Sequence, residues 1–307
     1  MKGVSESEPN AGKVVQHRKA KSYKLEYQKN LRWYEEMNIS DEDNSASMHG
    51  LAMASLAVGK NVGVAPGANL YFIASHNLKI DRPSQARILT FDYNQYAKAI
   101  DRILEISKQL SSKKKIRAIS ISAAWSPEME GYQEMRLAVK RATDQGIFII
   151  SCNIFETYDH EFYYQVLERD PLGNPDDFSI YSVIPWNKSI RLVKKPRSLF
   201  DKYYEEKFDR FAKVEILLVP INSRTAASPT GKYDYAFSRG GGWSQVQPFL
   251  CGLYALACQV KPDITPELFW QKALETGINQ DVINGDRKYP GKIVNPVKLI
   301  QRLRNVP

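Results

Sequence analysis

Cysteine is scarce in this chain: three residues among 307, too few to build a disulfide framework. Cys251 and Cys258 fall seven positions apart on one predicted helix, too far along it to bridge, and Cys152 falls at the end of a predicted strand. Free thiols fit a reducing compartment, so a cytoplasmic protein is expected. No apolar run approaches the length of a membrane-spanning helix, and the polar stretch from Lys2 to Ser22 lacks the apolar core of a secretory leader. Internal repeats and low-complexity tracts are absent, and no His, Cys, Asp and Glu residues recur at metal-ligand spacing, so neither metal nor cofactor is assigned. Acidic residues are outnumbered 34 to 43, leaving a net charge of +9. The basic runs are short, Lys113-Lys114-Lys115 and Lys194-Lys195-Pro196-Arg197, and read as solvated faces. With no recognition motif beside them, neither nucleic acid nor membrane is expected as a partner.

The chain is long enough to bury a large core as one α/β body. Strand-like runs at 69–74, 116–122, 147–151 and 214–219 alternate with helical patterns at 49–58, 93–110, 131–145 and 244–260. Such alternation predicts a mostly parallel sheet with helices on both faces. Residues 155–213 break the rhythm, being dense in tyrosine and charge with turn signals at Pro171-Leu172-Gly173-Asn174-Pro175. They read either as an insertion near a substrate cleft or as a surface excursion without a role.

Three blocks carry candidate chemistry. In Gly240-Gly241-Gly242-Trp243-Ser244-Gln245-Val246-Gln247-Pro248 a glycine run passes into a helix whose apolar face is Val246, Phe249, Leu250, Leu253, Leu256, Ala257 and Val260. Ser244 falls in its first turn, where free N–H groups and the helix dipole favour developing negative charge. It is therefore either a nucleophile beside an oxyanion site or a simple N-cap. Upstream, His49-Gly50 opens a run of small and apolar residues and is followed by Gly63-Val64-Ala65-Pro66 and a β-rich strand. The third block, Gly146-Ile147-Phe148-Ile149-Ile150-Ser151-Cys152-Asn153, is a buried-strand pattern that ends on an amide donor.

In this order and spacing the blocks resemble the subtilisin-like serine proteases, the subtilase family. That family pairs a His-Gly motif with Gly-Val-Ala-Pro, places an asparagine after a buried strand, and carries its nucleophile in Gly-Thr-Ser-Met-Ala-x-Pro with a second glycine beyond. Here Gly242, Ser244, Pro248 and Gly252 keep that register, and the resemblance runs over roughly residues 43–303. It implies a three-layer subtilisin-like fold, with residues 43–307 as the peptidase domain and residues 1–42 as an N-terminal segment. It also implies a serine endopeptidase acting on peptides or proteins, with Ser244 as nucleophile, His49 as general base and Asn153 as oxyanion donor. Ser122, Ala123 and Ala124, in Ala118-Ile119-Ser120-Ile121-Ser122-Ala123-Ala124-Trp125, match the strand on which the family pairs substrate backbone, and otherwise read as ordinary sheet. Calcium, which many subtilases bind, is allowed by the resemblance, but no ligands are assigned, nor is an oligomeric state.

The departures are specific. Trp243 replaces the family's threonine, Ser151-Cys152-Asn153 replaces Ala-Gly-Asn, and the bulky Trp125 after Ala124 narrows the expected specificity pocket. The triad aspartate is missing: counting back about thirty residues from His49 reaches Val14-Val15-Gln16-His17. Asp41 and Asp43 are the only aspartates before His49, in the polar stretch leading to it. Gln16 has the spacing to accept the imidazole N–H but brings no charge. The alternative expectation is therefore a subtilase-like pseudoprotease that binds peptide or protein in the old cleft without cutting.

Overall fold

The computed structural model describes residues 14–15, 23–24, 31–37, 49–75, 78–81, 88–152, 157, 162–184, 214–228, 233–284 and 286–305. Its helices are α1 (His49–Val58), α2 (Tyr93–Gln109), α3 (Tyr132–Thr143), α4 (Val246–Val260), α5 (Pro266–Thr276) and α6 (Pro296–Arg304). The strands that frame them are β1 (Leu31–Met37), β2 (Leu70–Ser75), β3 (Ala118–Ile121), β4 (Phe148–Ser151), β5 (Tyr164–Arg169) and β6 (Tyr181–Val183). After these come β7 (Ile216–Pro220), β8 (Arg224–Ala227), β9 (Tyr235–Ser238), β10 (Ile278–Asn279) and β11 (Gly291–Ile293).

Parallel pairing dominates the centre. β1 runs parallel to β2, β3 to β4, and β7 to both β5 and β11, with β6 and β10 closing that sheet as antiparallel edges. The hydrogen-bonded order of the five-stranded sheet is β6-β5-β7-β11-β10, and β8 with β9 forms a separate antiparallel hairpin. The expected α/β architecture is thus present, with its parallel strands divided between this sheet and two parallel pairs.

β4 shows why both faces are covered. A strand turns successive side chains to opposite sides. Phe148 and Ile150 join the cluster formed with Leu250, Leu253 and Tyr254 of α4 and Phe269 and Trp270 of α5. Ile149 faces the other way, among Ala97 and Leu104 of α2 and Met135 and Ala138 of α3. Every residue of β4 is buried, the signature of a strand between two helical layers. β7 is equally dry, with Leu217, Leu218 and Val219 fully buried. Capping fixes the helix starts: Asp92 accepts from Asn94 N, Thr265 from Leu268 N and Asn295 from Lys298 N, with proline in the first turn of α5 and α6.

Residues 155–213 are not all additional to this frame. β5 lies inside that stretch, beside β7 in the central sheet, with Val166 and Leu167 fully buried. The Pro171–Pro175 turn signals fall in the connection from β5 to β6.

Candidate active site

His49 begins α1, a helix made by small and apolar residues and buried from Leu51 and Ala54 through Val58. Its first residue is exposed, but protein on its inner side desolvates the ring and lowers the imidazole pKa below the ordinary histidine value. The helix is fastened at mid-length by Ser55, whose Oγ donates to Ala52 O at 2.7 Å and accepts from the Ala227 N–H at 2.9 Å. That second bond ties α1 to β8. At the C-terminal end the Gly63-Val64-Ala65-Pro66 block folds back along the helix. Val64 N donates to Leu56 O at 3.0 Å and Ala65 N to Ala57 O at 2.8 Å, which satisfies carbonyls that the helix leaves open. A Cβ on Gly63 would stand 2.2 Å from the Gly59 nitrogen, so the turn requires glycine there.

Ser244 occupies a 3-10 turn, Trp243–Gln245, that runs directly into α4. Of the preceding glycines Gly241 serves close packing: a Cβ there would stand 1.9 Å from the Ile221 carbonyl oxygen, just beyond the end of β7, whereas one on Gly240 or Gly242 would meet nothing within 4 Å. Neither the turn nor α4 has a side-chain cap. Ser244 is therefore not the N-cap that its position allowed, and its hydroxyl meets the Cys152 thiol at the end of β4. Burial pushes that thiol up to about 12, so it stays protonated and is a poor nucleophile.

The residues read as substrate-binding lie beside this turn. Ser122 Oγ donates to the Ser244 carbonyl oxygen at 2.8 Å, and Cys152 N donates to Ala123 O at 3.0 Å. Ala123 is buried, while Ser122 and Ala124 are partly exposed. The Tyr93 hydroxyl donates to the Ala124 carbonyl, holding this segment from the start of α2. Trp125 is fully buried in the α2/α3 cluster rather than filling an open pocket. α1 packs along α4 and reaches the Trp243–Gln245 turn, so the His49 helix and the serine turn are neighbours. Asn153 lies outside the described residues, as do Gln16, Asp41 and Asp43.

A buried polar chain behind the turn was not foreseen. Gln247, fully buried near the start of α4, donates through Nε2 to the Tyr164 hydroxyl at 2.7 Å. That hydroxyl donates to Ser151 O at 2.8 Å, and Ser151 Oγ bonds the Thr157 hydroxyl at 2.7 Å. The Tyr164 ring also lies 5.7 Å from the ring of Trp243, so β4, β5 and the serine turn are fixed to one another. The signal in the sequence was a glutamine where the α4 pattern is otherwise apolar.

Among the described residues no group of three or more His, Cys, Asp or Glu side chains gathers to hold a metal ion. Nor, among them, is any helix long and apolar enough to cross a membrane.

No protein-family model matches the sequence, and no curated protein is detectably similar to it. Solved structures do match. The prenylagaramide maturation protease PagA superimposes with a TM-score of 0.50 at 16% identity, over 88% of this chain and 93% of that one. A chain from a structure of the subtilase cytotoxin SubAB gives a TM-score of 0.50 at 14% identity, over 89% of this chain and 83% of that one. At such identities the likeness is one of fold, and it is the fold of the subtilisin-like proteases that this chain adopts.

Proposed function

We propose that the chain is a serine endopeptidase of the subtilase type. The observation that supports it best is the setting of Ser244, on a turn at the mouth of buried α4, with its carbonyl held by Ser122 and with α1 packed alongside. In this reading the Ser244 Oγ attacks the peptide carbonyl carbon while His49 takes the hydroxyl proton. His49 then returns that proton to the leaving amine, and water hydrolyses the resulting acyl-enzyme. The Ser244 N–H and Asn153 are assigned to the oxyanion, and the backbone of Ser122, Ala123 and Ala124 to an added substrate strand. Residues 43–307 are assigned as the peptidase domain, and the three free thiols are in keeping with a cytoplasmic location.

No aspartate stands at the expected spacing, so low turnover is part of the proposal. Loss of the orienting charge alone costs about 10⁴ in a triad protease, and what remains still exceeds water by roughly 10³ to 10⁴. The test is covalent labelling by a fluorescent fluorophosphonate, comparing the native chain with Ser244→Ala and His49→Ala, each checked for fold by circular dichroism. Labelling of the native chain that is lost in both variants is expected. A folded native chain that takes no label, or a Ser244→Ala variant that still does, would reject the endopeptidase and leave the peptide-binding pseudoprotease.

A further inference from the structure

Ser244 stands between two residues that one tyrosine holds. The Tyr164 ring lies 5.7 Å from the ring of Trp243, the residue before the serine, and its hydroxyl accepts at 2.7 Å from Nε2 of Gln247, three positions after it. Both partners of that hydrogen bond are buried. No side chain caps the serine turn or α4, and two distant segments brace the turn instead. One is Tyr164 on β5; the other is Ser122, whose Oγ donates to the Ser244 carbonyl oxygen at 2.8 Å.

The same tyrosine hydroxyl also reaches the end of β4. It donates to Ser151 O at 2.8 Å, and the N–H of that same peptide unit, Cys152 N, donates to Ala123 O at 3.0 Å. The Ser151–Cys152 peptide plane is thereby pinned at both ends, and the side chain that follows it is the thiol that meets the Ser244 hydroxyl. A phenolic hydroxyl donates one proton and accepts on its oxygen. Tyr164 donates to β4 and accepts from α4, so a single oxygen fixes the spacing of the two elements that meet at Ser244. Gln247 Oε1 is buried and finds no partner among the described residues, a cost that an apolar side chain at this position would avoid. The bond to Tyr164 is what the amide supplies against that cost.

We infer that Tyr164 is a positioning residue for the nucleophile. Through Gln247 and Ser151 it holds the serine turn against the end of β4, and so sets where the Ser244 hydroxyl stands. The inference rests on the endopeptidase reading of Ser244. In this role Tyr164 takes no part in bond making and acts through its neighbours, where a displacement of about 1 Å lowers a rate by about 10²-fold.

Tyr164→Phe tests it, because the ring stays beside Trp243 while both hydrogen bonds are lost. Fluorophosphonate labelling, followed per folded molecule, separates into a rate constant at saturating probe and the probe concentration at half-saturation. Tyr164→Phe is expected to lower the first by about tenfold or more and to change the second by less than about twofold. Leu299→Ala, at a fully buried position of α6, shows what loss of stability alone does, and both quantities should stay within about twofold of the native chain. Should Tyr164→Phe fail to fold, Gln247→Met, similar in length and lacking the donor, should lower the rate constant by about threefold or more. Where both fold, the double variant should label no more slowly than the slower single one, since both act through one hydroxyl. A native chain that takes no label rejects the endopeptidase reading and this inference with it. Native labelling together with an undiminished rate constant in folded Tyr164→Phe or Gln247→Met, a change confined to the half-saturating concentration, or an equal fall in Leu299→Ala would overturn the positioning role and leave the endopeptidase reading standing.

Discussion

Gly252→Ala should destabilise the protein, although in most helices that exchange does the opposite. Replacing a mid-helix glycine by alanine ordinarily gains about 1 kcal/mol from backbone entropy. At Gly252 the new methyl carbon would sit 2.7 Å from the Val64 Cβ and 3.1 Å from the Ala57 carbonyl oxygen. Neither neighbour is the free end of a flexible side chain. Val64 is anchored by its backbone bond to Leu56 O, and Ala57 O already accepts from Ala65 N, so α4 or the Val64 turn must move. Overpacking of this kind costs about 1–3 kcal/mol, and where backbone has to shift the upper part of that range applies, which leaves a net loss of about 1–2 kcal/mol. Urea unfolding followed by circular dichroism reads this as a lower midpoint at unchanged slope. Val64→Gly in the same chain removes the closer of the two clashes and should restore part of the loss relative to Val64→Gly alone. A Gly252→Ala protein as stable as the parent would refute the contact and, with it, the explanation of why a glycine stands four residues beyond Pro248.

Gln247→Leu should lower stability in the same assay by less than the ~1–3 kcal/mol of a buried group left unpaired, because it removes the bond to the Tyr164 hydroxyl but also the Gln247 Oε1, which is buried without a hydrogen-bond partner among the described residues; a gain in stability would remove the network from the frame. The proposed hydrolysis should fall as pH is lowered, with a midpoint below the ordinary histidine value, since the base form of His49 is required and desolvation extends that form to lower pH. A pH profile of fluorophosphonate labelling with a midpoint above 7 would contradict it. Burial raises the pKa of all three thiols, so native protein at pH 8 should resist iodoacetamide while urea-unfolded protein takes three labels by mass spectrometry; rapid native labelling of Cys152 would contradict its placement.

Legibility of the fold in the sequence followed burial. β4 and β7 are short, apolar and enclosed on both sides, β3 is short and buried through Ile119 and Ile121 on one, and the ends of all three agree with the expected runs to within about two residues, as do those of α1 to α4. β1 was missed because Arg32, Glu35 and Glu36 interrupt its apolar residues. β5 was missed because Gln165, Glu168 and Arg169 give it a mixed composition, although most of the strand is buried beside β7. α5 and α6 announce themselves by Thr265-Pro266 and Asn295-Pro296, a capping residue followed by proline, a signal that was present and not used. At the candidate site, spacing brought Ser122 to Ser244 and the His49 helix to the serine turn. It could not reveal that Gln247, Tyr164, Ser151 and Thr157 are joined, because a polar chain assembled from three distant segments has no period.

The peptide bond between Phe148 and Ile149 joins two residues with almost no company in common. Phe148 belongs with Phe269 and Trp270, more than a hundred positions away, at ring separations of 5.6 and 6.3 Å, whereas Ile149 belongs with α2 and α3. Changes at these two adjacent positions should therefore add almost independently, while Phe148 and Phe269 should show strong coupling. A side chain altered in one helical layer should therefore be compensated by a change within that layer rather than across β4.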